Sequence, residues 1–299
     1  MNLEQKYSII IPAYNEQQTI YKQISKMQNI LSDSGDIFEF IIINDGSNDN
    51  TLDEINKLSF PIILINQLTN QGYGAALKAG IEKAKFDNIV ITDADGTYPS
   101  KYIPDFARKL HSNNLDMIIG ARVGKNVNIP LIRRPPKWVI NKFAEWITGR
   151  KIPDVNSGLR IFSKSSFSPF HNLVPNGFSF TTTITLGMIL GGYKVKFVPI
   201  DYLKRKGKSK IKPIRDTVNF FKIIFKIGLY FAPIKIFIPI SLGLIIIAFV
   251  WGLLSKIILG QIADISVLVI IMTAFQLAAL SLVAELINNR ITNIYKKNN

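Results

Sequence analysis

Two windows of twenty residues, Ile236 to Ser255 and Ile265 to Ala284, contain no charged side chain. Each is long enough to cross a hydrocarbon layer of ~30 Å as a helix. In lipid no water is available to backbone polar groups, so a spanning segment has few options besides a helix. The pair is expected to form a membrane hairpin; a buried globular hairpin is the alternative. Both windows follow more than 200 residues of mixed polarity, and Met1-Asn2-Leu3-Glu4-Gln5-Lys6 has no apolar run, so neither end reads as a signal peptide. Lys204, Arg205, Lys206, Lys208, Lys210, Lys212 and Arg215 precede the first window, and Arg290, Lys296 and Lys297 follow the second. The connector Lys256 to Asp264 carries one cation and one anion. The positive-inside rule then predicts a multi-pass protein of the cell membrane, with the large amino-terminal part and both termini in the cytoplasm.

The formal charge of +15 has two readings, nucleic acid or anionic lipid. Much of the basic excess lies just before the first window, which favours lipid headgroups. No DNA- or RNA-binding motif is present, so no nucleic-acid partner is expected. The chain has no cysteine, which agrees with a reducing compartment and excludes thiol nucleophiles, disulfides and Cys-based zinc sites. His111 and His171 lie too far apart for an HExxH-type site.

The first half alternates short runs rich in Ile, Val and Phe with helical patterns. Tyr7 to Ile11, Phe38 to Ile43, Ile62 to Ile65, Ile89 to Thr92 and Asp116 to Ile119 read as strands. Ile20, Ile24, Met27 and Leu31 fall on one face of a helix, and Ala75 to Ala84 is rich in helix formers. This pattern predicts an α/β fold with a mostly parallel sheet covered on both faces, whose ligands bind at the carboxyl ends of the strands. At those ends stand Pro12-Ala13-Tyr14-Asn15-Glu16, Asn44-Asp45-Gly46-Ser47 and Thr92-Asp93-Ala94-Asp95.

Asp93 and Asp95 suit a hard divalent cation that shares its coordination between carboxylates and a diphosphate. Taken singly, each cluster also has a local reading: Asn15 as a helix cap, Asp45-Gly46 as a turn, Asp93 as a cap. Gly72-Tyr73-Gly74 is not a dinucleotide fingerprint, because Leu77 stands where the third glycine would be and the glycines follow the third strand. A close approach at a helix amino terminus accounts for them. Neither a Walker P-loop nor a GxSxG elbow is present.

Several segments, taken in order, resemble the inverting nucleotide-sugar glycosyltransferases of the GT-A fold. They are Ser8 to Glu16, Ile43 to Ser47, Gly72 to Ala76, Asp93 to Gly96, Ile119 to Arg122, Asp154 to Arg160 and Gly207 to Lys210. The narrower likeness is to membrane-attached polyprenyl-phosphate glycosyltransferases, the group of dolichyl-phosphate mannose synthase and bactoprenol glucosyltransferases. Gln276-Leu277 to Glu285, with Arg290 and Tyr295, also looks like that group's second membrane helix. The resemblance implies a GT-A domain over residues 1–212, an amphipathic interfacial helix over 213–229, and a transmembrane hairpin over 230–299 with its tail in the cytoplasm. In the interfacial helix Val218, Phe221, Ile224 and Phe225 would share the apolar side.

The same resemblance implies the site. Pro12, Tyr14, Glu16, Asp45 and Asp93 would hold the donor nucleotide, and Asp93 and Asp95 would hold Mg²⁺ or Mn²⁺. Arg122, Arg133, Arg205 and Lys206 would face the lipid phosphate. Asp95, Arg122 and Asp154 form the catalytic set, Asp154 either touching the sugar or orienting Arg122, with a turn-capping role as the plainer alternative. The implied partners are a UDP- or GDP-sugar, polyprenyl phosphate and the membrane; a homo-oligomer is left open. A lipid phosphate is already anionic at neutral pH, so in-line displacement with inversion needs no general base.

The chain departs from the family at several points. Asn44 replaces an Asp, Thr183 stands where many relatives carry Glu, Gly96-Thr97 replaces Leu-Gln, and Lys204 and Lys206 replace Arg. The Gly96-Thr97 change removes a third metal ligand and leaves the sugar open. Transfer to another lipid such as diacylglycerol, or a silent nucleotide-sugar-binding scaffold, are the competing functions. Two membrane windows and no QxxRW motif argue against a processive synthase.

Overall fold

A computed structural model describes residues 4–124, 134–177, 179–204, 213–261 and 263–297. The chain divides into two compact units, Met1–Ile224 and Phe225–Asn299. Its elements run β1 (Lys6–Ala13), α1 (Ile20–Ser32), β2 (Ile37–Asp45), α2 (Thr51–Asn56), β3 (Ile63–Gln67), α3 (Tyr73–Lys83), β4 (Asn88–Ile91), α4 (Tyr102–Ser112), β5 (Met117–Ala121) and α5 (Arg134–Thr148). They continue through β6 (Arg160–Ser163), α6 (Lys164–Phe167), α7 (Phe180–Leu190), β7 (Val195–Pro199), α8 (Pro213–Phe231), α9 (Pro233–Leu259) and α10 (Asp264–Lys297).

The seven strands form one sheet in the order β3-β2-β1-β4-β6-β5-β7. All pairings are parallel except those of β6, which runs antiparallel to both β4 and β5. β1 is buried from Tyr7 to Ala13, as its apolar run requires of a central strand. Alternation sorts its side chains. Ile9 and Ile11, with Phe40 and Ile42 of β2, meet the buried stripe Ile20, Ile24, Met27 and Leu31 of α1 and the α4 residues Ile103, Phe106 and Leu110. On the opposite face α3 lies so close that a Cβ on Gly80 would come within 2.5 Å of Ile10 and 2.9 Å of Ile43. Both faces are therefore covered, and polar loops collect at the strand ends.

The five predicted strands and the α1 face are present. β6 and β7 were not anticipated. β6 is four residues long and begins on a buried Arg, so it lacks an apolar signature. β7 is a half-exposed edge strand interrupted by Lys196 and ended by Pro199. Among the described side chains of α8, Phe220, Ile224 and Ile227 are buried, an i, i+4, i+7 stripe, whereas Phe225 is 43% exposed.

In the second unit, Pro233–Ile258 and Asp264–Asn288 are long and apolar enough to cross a membrane. Small residues line their mutual contact: Ser241, Ala248, Ala274 and Ser281 are buried, while Phe249 and Ile257 are more than 60% exposed. Trp251 Nε1 donates to Ser266 Oγ at 2.8 Å, and Ala263 N donates to Ser255 Oγ at 3.0 Å across the turn. The left-handed Gly260 ends α9.

Candidate active site

The carboxyl ends of β1, β2 and β4 open into a cleft of about 290 Å³ in the first unit. Pro12, Tyr14 and Glu16 come to it from β1, Asp45 from β2, and Asp93 and Asp95 from the loop after β4. Arg122 enters from the end of β5. Arg133, Arg205 and Lys206 lie outside the described residues.

The β1 and β2 loops are stitched together. Asn15 N donates to Ser47 Oγ at 3.0 Å, Asn48 N to Asn15 Oδ1 at 2.8 Å, and Glu16 N to Thr51 Oγ1 at 2.8 Å. Asn15 adopts φ 53°, a left-handed conformation that Asn tolerates, and caps no helix. Asp45 accepts from Gln71 N at 2.7 Å and Gly72 N at 3.0 Å, so its carboxylate fixes the loop before α3. Asn44 donates to Asn66 Oδ1 at 2.7 Å, a cross-strand amide bond that accounts for an amide in place of an acid. At the start of α3, Gly74 N and Ala75 N donate to Asn176 O at 2.7 and 3.0 Å. The close approach foreseen for the glycines is therefore made by neighbouring backbone.

Asp93 accepts from the Tyr73 hydroxyl at 3.0 Å. Burial first, then Asp93, pushes the Tyr73 phenol well above its ordinary value, so it stays a donor. Asp95 is 7% exposed, and its Oδ1 accepts from Thr97 N at 3.0 Å and Thr97 Oγ1 at 2.6 Å. Gly158 closes on this pair: a Cβ there would sit 2.9 Å from Asp93 Oδ2 and 3.0 Å from Tyr98. Its N–H donates to the Tyr98 hydroxyl at 2.7 Å.

Asp154 is wholly buried and faces Arg122 with both oxygens: Nε donates at 2.7 Å, Nη2 at 2.8 Å, and the Arg122 N–H at 3.0 Å. Arg122 Nη2 also donates to Asn156 Oδ1 at 2.7 Å, and its guanidinium lies 5.2 Å above the Tyr202 ring. Burial is the largest single influence and opposes the charge, but Asp154, Tyr98 and Tyr202 together outweigh it and hold the guanidinium well above its ordinary value. Arg122 Nη1 has no hydrogen-bond partner among the described residues. A second Arg, Arg160, is fully buried and, among the described residues, donates only to neutral oxygens of Ser157, Thr181 and Thr185. Burial lowers its pKa to about 10, which still leaves it charged at neutral pH.

Among the described residues no group of three His, Cys, Asp or Glu could hold a metal. Asp93 and Asp95 nevertheless fit Mg²⁺ or Mn²⁺ that completes its shell with substrate phosphates: both are hard oxygen donors on the cleft wall, and Thr97 fixes the second. No histidine lines the cleft; His171 Nε2 sits 3.1 Å from Glu82 and His111 lies edge-on to Tyr7. Thr183 turns its hydroxyl to Ser179 O at 3.0 Å within α7.

Tyr73, Tyr98, Asn156, Tyr202 and Phe220 line the cleft without having been singled out. Tyr73 and Asn156 stood inside recognised motifs, whereas Tyr98, Tyr202 and Phe220 carried no local signal. Removing half of the buried pair should be expensive. Asp154→Ala is expected to lower stability by ~3–5 kcal/mol, because it strands the Arg122 guanidinium. A thermal midpoint within a degree of the parent protein would contradict that assignment.

The sequence model described as "Glycosyl transferase family 2" matches residues 8–169. The dolichyl-phosphate hexose transferase of Haloferax volcanii is 26% identical over 223 residues, 74% of this chain and 93% of that protein. The dolichol-phosphate mannosyltransferase of Pyrococcus furiosus is 31% identical over 220 residues, 69% of this chain and 59% of its own. The dodecaprenyl-phosphate galacturonate synthase of Rhizobium johnstonii is 28% identical over 162 residues, 53% of this chain and 48% of its own. The chain thus spans about half the length of the last two. Among solved structures, glucosyl-3-phosphoglycerate synthase from Mycobacterium tuberculosis, in complex with Mn²⁺, UDP and phosphoglyceric acid, superposes with a TM-score of 0.58. It is 14% identical, and the match covers 75% of this chain and 78% of that one. That likeness establishes the GT-A-like α/β fold.

Proposed function

The chain belongs to glycosyl transferase family 2, and from that premise we propose that it moves one sugar from a nucleotide diphosphate to polyprenyl phosphate at the cytoplasmic face of a membrane. It is a glycosyltransferase by family; the acceptor is the new step. One observation carries the acceptor: Arg122, cradled by Asp154, lines a cleft that already holds two acids, and its Nη1 has no hydrogen-bond partner among the described residues. A cleft with acids on one wall and a fixed cation on the other suits a metal-bound diphosphate leaving an anomeric carbon while an anionic phosphate arrives. The names of the three curated relatives, all polyprenyl-phosphate sugar enzymes, support the same class.

In this reading Pro12, Tyr14, Glu16 and Asp45 receive the nucleoside on a platform made rigid by the Asn15–Ser47 stitching. Asp93 and Asp95 hold the divalent ion. When bound, Mg²⁺ or Mn²⁺ supplies charge stabilisation for the departing nucleoside diphosphate. Arg122 orients the lipid phosphate, joined by Arg133, Arg205 and Lys206. Asp154 keeps the guanidinium charged and in plane, a positioning role. Because the nucleophile is already ionised, no histidine or carboxylic acid is needed to take a proton. Catalysis rests on positioning and electrostatics.

The domain limits 1–212, 213–229 and 230–299 and the hairpin topology belong to the same proposal. α8 would lie in the interfacial plane, with α9 and α10 crossing the bilayer. The basic flanks orient both termini inward.

The decisive assay uses full-length protein with Mn²⁺ or Mg²⁺, labelled UDP- and GDP-sugars, and polyprenyl phosphate. A mild-acid-labile lipid-linked sugar is expected; turnover only with diacylglycerol, or none with any donor, overturns the acceptor. Asp95→Ala should reduce turnover by ~10³-fold or more while leaving the thermal midpoint within a few degrees. Undiminished turnover would remove Asp95 from the metal. For topology, a reporter fused after Asn299 is expected to score as cytoplasmic, and an external signal would break the hairpin orientation.

A further inference from the structure

Gln276 stands at the centre of the second apolar helix, twelve residues from either end of Asp264–Asn288. At 1.5 Å per residue that is about 18 Å from both ends, too far for its side chain to reach water. It is exposed, and it has no hydrogen-bond partner among the described residues. Thr273 and Ser281 differ: their hydroxyls donate back to Val269 O at 2.8 Å and Ala278 O at 2.7 Å. Gln276 also faces away from α9, because Ala274 and Ser281, both buried, project from the opposite side of α10.

The side chains around Gln276 form a regular stripe. Val269 and Met272 lie seven and four residues before it, Leu280 and Val283 four and seven after, and each is more than 50% exposed. Steps of three and four keep them on one face, the pattern of a seam between two helices. Hydrocarbon suits the four apolar members as well as another protein does, but it offers nothing to a primary amide. A carboxamide carries two N–H donors and a carbonyl acceptor, so lipid alone forfeits every bond it makes in water.

We propose that this stripe is a contact between two copies of the chain, with the two Gln276 amides bonded to each other near the middle of the bilayer. This inference rests on the membrane hairpin of the proposed function and not on its acceptor. Copies inserted in one orientation carry Gln276 at the same depth, and a two-fold axis along the membrane normal sets the residue opposite itself. The carboxamide is self-complementary: each amide N–H donates to the other copy's carbonyl oxygen, giving two reciprocal bonds. A charged side chain here would repel its own copy, and a hydroxyl would close on its own helix, as Thr273 does. The amide therefore favours a second copy over an unlike partner and fixes the register, as one polar residue does in a coiled coil.

The chain has no cysteine, so single cysteines report proximity without background. In full-length protein reconstituted into lipid vesicles, Val269→Cys and Val283→Cys should give disulfide-linked dimers on oxidation with copper phenanthroline. Leu282→Cys, 54% exposed but about 120° around α10 from Gln276, should stay monomeric. Association is measured by energy transfer between copies labelled through a cysteine appended after Asn299, as the lipid-to-protein ratio is raised. Gln276→Leu should weaken it by about tenfold, and Gln276→Asn, which keeps the carboxamide, should stay within about threefold of the parent. Leu suits hydrocarbon better than Gln, so a contact held by apolar packing alone would be unharmed by the first change.

A monomer at every ratio would leave the stripe to lipid and overturn the proposal. Undiminished association of Gln276→Leu, Gln276→Asn as weak as Gln276→Leu, or equal cross-linking through Leu282→Cys would do the same. Alkaline carbonate separates this result from the hairpin: protein stripped from the vesicles removes the hairpin and the pairing together, whereas protein that resists carbonate yet stays monomeric removes the pairing alone. The cross-linking arm keeps Gln276 in place, so it decides even where a substitution at that position disturbs insertion.

Discussion

A carboxylate with no solvent exposure keeps its charge only where a cation meets it closely, and Asp154 is held by Arg122 through both oxygens. That pair fixes more than two side chains. Asp154 begins the segment 154–160, which threads along the cleft: Asn156 accepts from Arg122, Ser157 donates to Gly120 O, Gly158 N meets Tyr98, and Arg160 starts β6. The end of β5 is thereby fastened to the approach to β6. The same ion pair that costs desolvation on burial orients the Arg122 guanidinium.

Charge is layered around the cleft with alternating sign. Arg160 lies in register opposite Ile91 of β4 and Ile119 of β5, beneath the loops that carry Asp93 and Arg122. It has no carboxylate partner at salt-bridge distance among the described residues, and the charges of Asp154 and Asp93 favour its charged form. A positive charge beneath two buried or half-buried acids offsets their mutual repulsion with an attraction to each, in a medium of low dielectric. Tyr73 adds a hydroxyl to Asp93 and Thr97 adds one to Asp95. Each acid is thus held before any substrate arrives, which is what electrostatic preorganisation requires.

The central sheet was legible because β1, β2 and β4 are buried and their apolar runs say so, and the α1 stripe repeats at helical spacing. The clusters around Pro12, Asp45 and Asp93 were legible because parallel strands deliver their ends to one edge. β6 was hidden: a strand opening on Arg160 looks polar in sequence, and its burial depends on carbonyls from Ser157 and Thr181 that are distant in spacing or irregular in structure. Tyr202 and Phe220 were hidden for a related reason, since nothing local distinguishes an aromatic in a cleft from one in a core. Asn44 and Thr97 looked like losses from a pattern; in the fold each has its own hydrogen-bonding partner.

The central claim is a single displacement in which the lipid phosphate attacks the anomeric carbon directly while the nucleoside diphosphate leaves from the opposite side. It is tested most directly by the anomeric configuration of the purified lipid-linked product, read by nuclear magnetic resonance and compared with that of the nucleotide sugar supplied. The account predicts inversion, an α-linked donor giving a β-linked lipid phosphate. Retention of configuration would contradict it, because it would require either two displacements or a front-face path.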